Sequence, residues 1–242
     1  MKVIAAYSHK GGTGKSTALM LLASAIEARG QSALLVDCDP QRNFNMYRLQ
    51  SEEIGCWSER LEVRYLDFEA TGIADLESGL MAAEDSGRFD YALLNLAGVD
   101  HPFNREALRY AELTLLPFKP AATELSELGP ALEVIRNLEA EREVGAARVL
   151  FTMMRPKLTV AASAYRDAAL DGFPVMETRL RDTAIFADIV MRGLLGRAIA
   201  STEAQASGLE KMQVKRLREA LDDCQMLLAE VDAIIAAEGR QA

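Results

Sequence analysis

Apolar and polar positions along the chain fall into short continuous apolar runs separated by stretches of helical period. Lys2–Ser8 is short, apolar and β-rich, and Ser32–Asp37 (containing ALLVD), Tyr91–Leu96 (YALLNL), Glu112–Phe118 (ELTLLPF) and Ala147–Met153 read the same way. Leu61–Phe68 is a further strand candidate, and Phe173–Glu177 a short one. Between them, Ser16–Arg29 places Leu19, Leu22, Ala23 and Ile26 on one helical face, with Gly30 suited to the C-terminal cap. Ile73–Ser86, Val160–Leu170, Thr183–Arg192 and Glu203–Ala237 are also predicted helices. Ala122–Glu143 is helical but contains Gly129-Pro130, which predicts a break into two helices there. Gln41–Arg60 has little pattern.

Near-continuous apolar strands that alternate with helices predict an α/β fold: a parallel twisted sheet with helices on both faces. No repeat, low-complexity tract or linker interrupts the chain, so residues 1–242 are expected to form one domain, with C-terminal helices from about 203. A chain of 242 residues, 50% apolar and 26% charged, is long enough to build its core without disulfide or metal support. Cys38, Cys56 and Cys224 are widely spaced and there are only two histidines, His9 and His101, so neither a zinc site nor a disulfide framework is expected. The apolar run Val3–Tyr7 is too short for a signal-peptide core, and no stretch approaches the ~18 apolar residues of a membrane span. A soluble, cytoplasmic protein is expected.

The strongest chemical signal is His9-Lys10-Gly11-Gly12-Thr13-Gly14-Lys15-Ser16-Thr17, lying between a predicted strand and a predicted helix. Glycines at 11, 12 and 14 let several backbone N–H groups converge on phosphate oxygens, and the helix N-terminus adds its dipole. Lys15 then reaches the β- and γ-phosphates and Ser16 ligates Mg²⁺. The general phosphate-loop pattern wants glycine where this chain has His9, so that pattern fails, but the narrower KGGxGK[ST] matches completely. The loop resembles the deviant Walker A motif of the ParA/MinD family.

The resemblance implies a role for each neighbouring motif. Lys10 would reach across an ATP-sandwich homodimer to the partner's phosphates, adding a second cation as an arginine finger does. Asp37-Cys38-Asp39-Pro40-Gln41 looks like the family's switch I, with Asp39 orienting the attacking water and Asp37 supporting Mg²⁺ through water. Two carboxylates at i and i+2 at a strand's C-terminal end point the same way, toward the ligand crevice. Asn95 stands where the family usually has the Walker B aspartate. An asparagine keeps a carbonyl acceptor but loses the charge, so Mg²⁺ affinity and ATP turnover are expected to be weak. Gly98 is the candidate switch glycine.

GKSTALMLL, GRFDYALLNLAG and FPVMETRLRDTAIFADIVMRGLL look most like the ParA-like accessory ATPases of T-DNA and conjugative transfer, with small plasmid-partition ParAs as close competitors. The resemblance implies ATP and Mg²⁺ as cofactors, and a task of positioning or segregating DNA or a DNA-bound complex in a bacterial cytoplasm, nucleoid-associated or polar. Its partners would be DNA, bound non-specifically in the ATP state, and a partition or relaxosome protein.

Charge modifies that expectation. The net charge of −9 excludes a general nucleic-acid coat. Residues 176–218, however, carry eight Lys/Arg and five Asp/Glu, so the rest of the chain is −12. Lys211, Lys215, Arg216 and Arg218 are the candidate DNA contacts, against the plainer alternative of a solvated helix face. The tail Glu219–Ala242 carries Glu219, Asp222, Asp223, Glu230, Asp232 and Glu238, which disfavours an anionic membrane surface. Iron–sulfur reductases and tyrosine-cluster kinases with a similar loop lack support in the cysteine and tyrosine positions. Two alternatives stay open: a nucleotide-locked scaffold that positions a protein cargo, and an ATP-dependent small-molecule ligase or synthetase.

Overall fold

The structure, a computed structural model, describes residues 1–140, 144–204 and 208–238. Six parallel strands form one sheet: β1 (Lys2–Ala6), β2 (Ala33–Asp37), β3 (Leu61–Tyr65), β4 (Tyr91–Asn95), β5 (Leu113–Phe118) and β6 (Ala146–Phe151), in the order β3-β2-β4-β1-β5-β6. Alternation within each strand explains the continuous apolar runs, because both faces are covered. Ile4, Ala33, Leu35, Tyr91 and Leu93 point into one core, whereas Ala5, Leu34, Val36, Ala92 and Leu94 point into the other.

The first core is built on α1 (Lys15–Ala28), α9 (Leu195–Ala204) and α10 (Gly208–Glu238). The second lies under α3 (Ile73–Asp85), α4 (Pro102–Leu108) and α5 (Ala122–Ala140). Helix α1 shows an apolar stripe in sequence, yet it is buried along Ala18–Glu27, because α9 and α10 pack over its outer side.

Asp232 ties α10 to the start of the sheet. Its carboxylate accepts from Lys2 Nζ at 2.6 Å, Tyr91 Oη at 2.8 Å and Arg29 Nη1 at 2.9 Å. Removing it leaves the phenol of buried Tyr91 without that acceptor. Asp232→Ala is therefore expected to cost about 1–3 kcal/mol, read as a lower urea midpoint at unchanged slope. An unchanged midpoint would show that the network contributes nothing to stability.

The structure corrects four element expectations. Helix α5 runs unbroken from Ala122 to Ala140 with Pro130 inside it, and the expected last residues 141–143 lie outside those described. An interior proline costs about 3 kcal/mol. Leu128, Ala131, Leu132, Ile135 and Leu138 are all buried across it, and such burial stabilises by about 1.5–3 kcal/mol per large aliphatic side chain. Phe173–Glu177 makes only a bridge from Val175 to Val149. The ladder with β6 is interrupted where the Glu230 carboxylate takes the amides of Glu177 and Thr178 at 2.6 and 2.8 Å, and Leu180 N then donates to Phe151 O. The expected helix Thr183–Arg192 is two short ones, α7 (Ala184–Ala187) and α8 (Ile189–Arg192), meeting at Asp188. The C-terminal helices begin at Leu195 rather than near 203. The patternless stretch after Gln41 contains α2 (Asn43–Glu53), and α6 (Val160–Gly172) matches its expected start. Among the described residues, no helix is long and apolar enough to cross a membrane.

Candidate functional site

Parallel strands end together, so their carboxyl ends bring residues distant in sequence to one edge. The register pairs Ala6 with Asn95 and Asp37 with Asn95. The glycine-rich loop leaves β1 beside them and enters α1. Gly12 and Gly14 have φ of 81° and 102°, and Gly14 is the N-cap of α1. Only glycine holds such angles without strain, so these two positions shape the loop. Thr13 and Lys15 are buried, whereas Gly11 and Gly12 are exposed with their backbone toward solvent space. Thr152, after β6, donates its hydroxyl to Thr13 O at 2.9 Å and braces the loop from behind.

Lys15 is 4% exposed. Its Nζ donates to Ser8 Oγ at 3.1 Å and to Lys10 O at 3.2 Å. Burial pushes its ammonium pKa below the ordinary lysine value, and the charges of Asp39 and Glu124 pull it partly back. A desolvated cation with neutral hydrogen-bond partners favours an incoming anion. Lys10, half-buried, makes an ion pair with Glu124 on α5, Nζ to Oε1 at 3.1 Å.

The acidic side of the site is a closed chain of hydrogen bonds. Ser16 Oγ donates to Asn95 Oδ1 at 3.2 Å, and Asn95 Nδ2 donates to Asp37 Oδ1 at 2.8 Å. Asp37 Oδ2 accepts from Phe44 N at 2.8 Å, and its Oδ1 also accepts from Asp39 N at 3.2 Å. Asp37 and Asn95 are both fully buried. Burial pushes the Asp37 carboxyl above the usual range, and the bonds from Asn95, Phe44 and Asp39 oppose that. Asp39 lies nearer the surface, and its Oδ1 accepts from Gln41 N at 2.9 Å. Ser16, Asp37, Asp39 and Asn95 thus present hydroxyl, carboxylate and amide oxygens, the hard donor set that suits Mg²⁺.

The loop after β4 closes over the glycine-rich loop. A Cβ on Gly98 would lie 2.9 Å from Gly11 N, the Lys10 carbonyl carbon and Lys15 Nζ, so no side chain fits there.

The structure therefore brings together Lys10, Gly11, Gly12, Thr13, Gly14, Lys15, Ser16, Thr17, Asp37, Asp39 and Asn95. It also adds residues without a clear sequence signal. Asn43, at the start of α2, donates Nδ2 to Ser16 Oγ at 3.3 Å. A pocket of about 110 Å³ opens beside Gly14 and Thr17 and is walled by Thr152, Met153, Arg181 and Phe186. Met153 has φ 51°, an uncommon backbone angle for a non-glycine residue. His101 caps α4, accepting at Nδ1 from Phe103 N at 3.2 Å, and Trp57 packs edge-on to Tyr47, so both have structural roles.

The candidate DNA contacts sit apart, on the exposed side of α10. Lys211, Lys215, Arg216 and Arg218 are exposed, while Val214, Leu217 and Ala220 turn inward. Arg216 lines an open groove of about 720 Å³ with Arg181 and Arg192. Several of these cations already have acids beside them: Arg181 with Asp223 at 2.7 Å, Arg192 with Asp188 at 3.6 Å, Lys215 with Glu219 at 3.9 Å, and Arg218 with Glu203. The patch is weaker in net charge than its residue types suggest.

A sheet in this order, with a KGGxGK[ST] loop leaving its central strand and carboxylates at the neighbouring strand ends, defines a P-loop protein of the ParA/MinD type. The chain belongs to the VirC1 family: the family model described as VirC1 protein matches residues 1–237. It is 25% identical over 225 residues to protein virC1 of Rhizobium rhizogenes, covering 92% of this chain and 94% of that one. It is also 25% identical over 236 residues to a protein ParA of Rhizobium radiobacter, covering 90% and 100%. Among solved structures, MinD in the MinC:MinD cell division protein complex of Aquifex aeolicus superposes with a TM-score of 0.62 at 20% identity, covering 95% and 96%. Cobyrinic acid a,c-diamide synthase of Mycobacterium smegmatis, with bound ATP analogue and magnesium, does so at 0.61 and 18% identity, covering 85% and 95%. These two likenesses concern the fold.

Proposed function

We propose that this protein is a ParA-like ATPase that dimerises around ATP and positions or segregates DNA or a DNA-bound complex, in plasmid partition or in conjugative or T-DNA transfer. The observation that carries the proposal is the convergence of the glycine-rich loop with Asp37, Asp39 and Asn95 at the carboxyl ends of β1, β2 and β4. The loop's N–H groups and Lys15 would bind the β- and γ-phosphates. Ser16 would ligate the metal, with Asp37 and Asn95 facing it through water. Mg²⁺, when bound, offsets charge on the transferred phosphoryl group. Asp39 orients the attacking water, and Lys10 supplies a cation to the partner's phosphates. The pocket beside Gly14 and Thr17 has the place and apolar lining for the nucleotide base. Family membership and the ParA relative favour this over a small-molecule ligase, although a synthetase shares the fold.

A second reading, the nucleotide-locked scaffold, is favoured by one observation. Asn95, bonded on one side to Asp37 and on the other to Ser16, brings an amide and no charge to this position. Such a protein would bind ATP, pair and recruit a cargo while barely turning over.

The test is DNA binding with ATP, ADP and no nucleotide at two salt concentrations, beside the mass in solution by light scattering. Binding that needs ATP and weakens with salt is expected, with a dimer that Lys10→Ala abolishes. An equal dimer yield in Lys10→Ala would remove the trans role of Lys10. Absence of DNA binding in every state would favour a protein cargo or a small-molecule substrate.

A further inference from the structure

We propose that Glu124 is the internal counter-ion of Lys10: it holds this lysine in cis in the nucleotide-free protein and must release it before Lys10 can act in trans. The trans part rests on the dimer proposed above; the cis contact does not.

Three observations place Glu124 in this role. Its carboxylate lies 3.1 Å from Lys10 Nζ and is only 12% exposed, whereas the lysine is 42% exposed. The lysine is the more exposed partner and the acid the more enclosed one. Glu124 also sits in the first turn of α5, where the helix dipole favours a carboxylate. Finally, its charge is felt at Lys15 as well. One carboxylate thus faces both lysines of the loop, where a phosphate group would otherwise be their anionic partner. Glu124 is a positioning residue, because it acts through Lys10 and not on the substrate.

The consequence is a threshold. The Glu124 carboxylate and a phosphate group attract the same ammonium, so the partner chain's nucleotide phosphates must compete with Glu124 for Lys10. Pairing of two chains must outcompete the cis ion pair. Nearby Glu127 lines the same small cavity behind the loop but has no hydrogen bond or ion pair to Lys10 among the described contacts, so it serves as the control acid.

The experiment has two arms on the full chain, each with wild type, Glu124→Gln and Glu127→Gln. In the first, the nucleotide-free monomer is treated with a limiting lysine-acylating reagent, and Lys10 is followed by peptide mass spectrometry. Lys10 is expected to be acylated about two- to fivefold faster in Glu124→Gln, the range a half-exposed ion pair supplies, and at the wild-type rate in Glu127→Gln. Equal rates in all three proteins would overturn the cis contact. In the second arm, dimer formation is titrated with ATP by light scattering. The ATP concentration for half-maximal pairing is expected to fall about two- to fivefold in Glu124→Gln; no fall would overturn the threshold. A wild-type protein that never pairs with ATP would overturn the dimer and the trans role of Lys10, while the acylation arm would still decide the cis contact.

Discussion

Asn95→Asp is expected to make the protein's stability depend on magnesium and on pH. In the native chain, Asn95 Nδ2 donates to Asp37 Oδ1 at 2.8 Å, and both side chains are fully buried. Aspartate at this position replaces the donor with a second acceptor and puts two carboxylates in contact. Removing one partner from a buried charged contact costs about 3–5 kcal/mol, which for a chain of this size lowers the unfolding temperature by roughly 6–20 °C. The pair escapes part of this cost by sharing a proton. Burial already raises the Asp37 carboxyl above its usual range, so the native state holds this proton more tightly than the unfolded chain does. Such a group removes stability as pH rises above the unfolded value of about 3.9, and the loss is complete above the raised native value. The variant should therefore melt below wild type by a margin that widens as pH rises above about 3.9, and the margin at pH 8 should narrow when Mg²⁺ is added. The same substitution should raise ATP turnover or Mg²⁺ affinity. Equal melting at pH 8 with and without Mg²⁺, together with unchanged turnover, would show that Asn95 does not face the metal.

Lys15→Met is expected to weaken nucleotide binding about 100-fold or more while leaving the free protein as stable as before, or more so. The ammonium is buried and desolvated, and among the described residues its hydrogen bonds go to Ser8 Oγ and Lys10 O. Replacing a poorly compensated buried charge with an apolar side chain of similar length is often neutral or stabilising. Burial makes the charged form of Lys15 costly, and the nucleotide's phosphates would recover that cost. Charge-assisted hydrogen bonds contribute about 1.5–3 kcal/mol each, so losing two weakens ATP about 100-fold or more. Thermal unfolding separates the two effects. Wild type should gain about 2.7 kcal/mol at 100 times its dissociation constant, and the variant at that ATP concentration about 0.4 kcal/mol or less. A variant that keeps the ATP-induced shift would remove Lys15 from the phosphate site.

Much of this site is local and therefore legible along the chain. The loop's geometry follows from Gly12 and Gly14, and its context from the strand and helix on either side. Asp37 and Asp39 share a strand end, so their common direction follows from a period of two. Asn95 stands out by its chemistry alone. Glu124, Asn43 and the pocket wall at Thr152, Met153 and Arg181 carry no such signal, because they come from distant segments: Asn43, Glu124 and Thr152 lie 27, 114 and 139 positions from the loop residues they bond. No periodicity encodes which helix end will lie beside which loop. The same holds for the basic patch: Lys211–Arg218 reads as a run of cations, and only the fold shows that Glu203 stands beside Arg218.

Sequence by itself determined the class of fold, the phosphate loop and the acids that face it, since each depends on residues within one strand–loop–helix unit. Tertiary structure alone decided the rest. It kept α5 whole through Pro130, because burial of its apolar face outweighs the lost bond. It buried α1 on all sides under α9 and α10. It joined Ser16, Asn95 and Asp37 into one hydrogen-bonded chain, and it set Glu124 against Lys10. These are contacts between elements, whose energies depend on distance in space, and spacing along the chain does not report that distance.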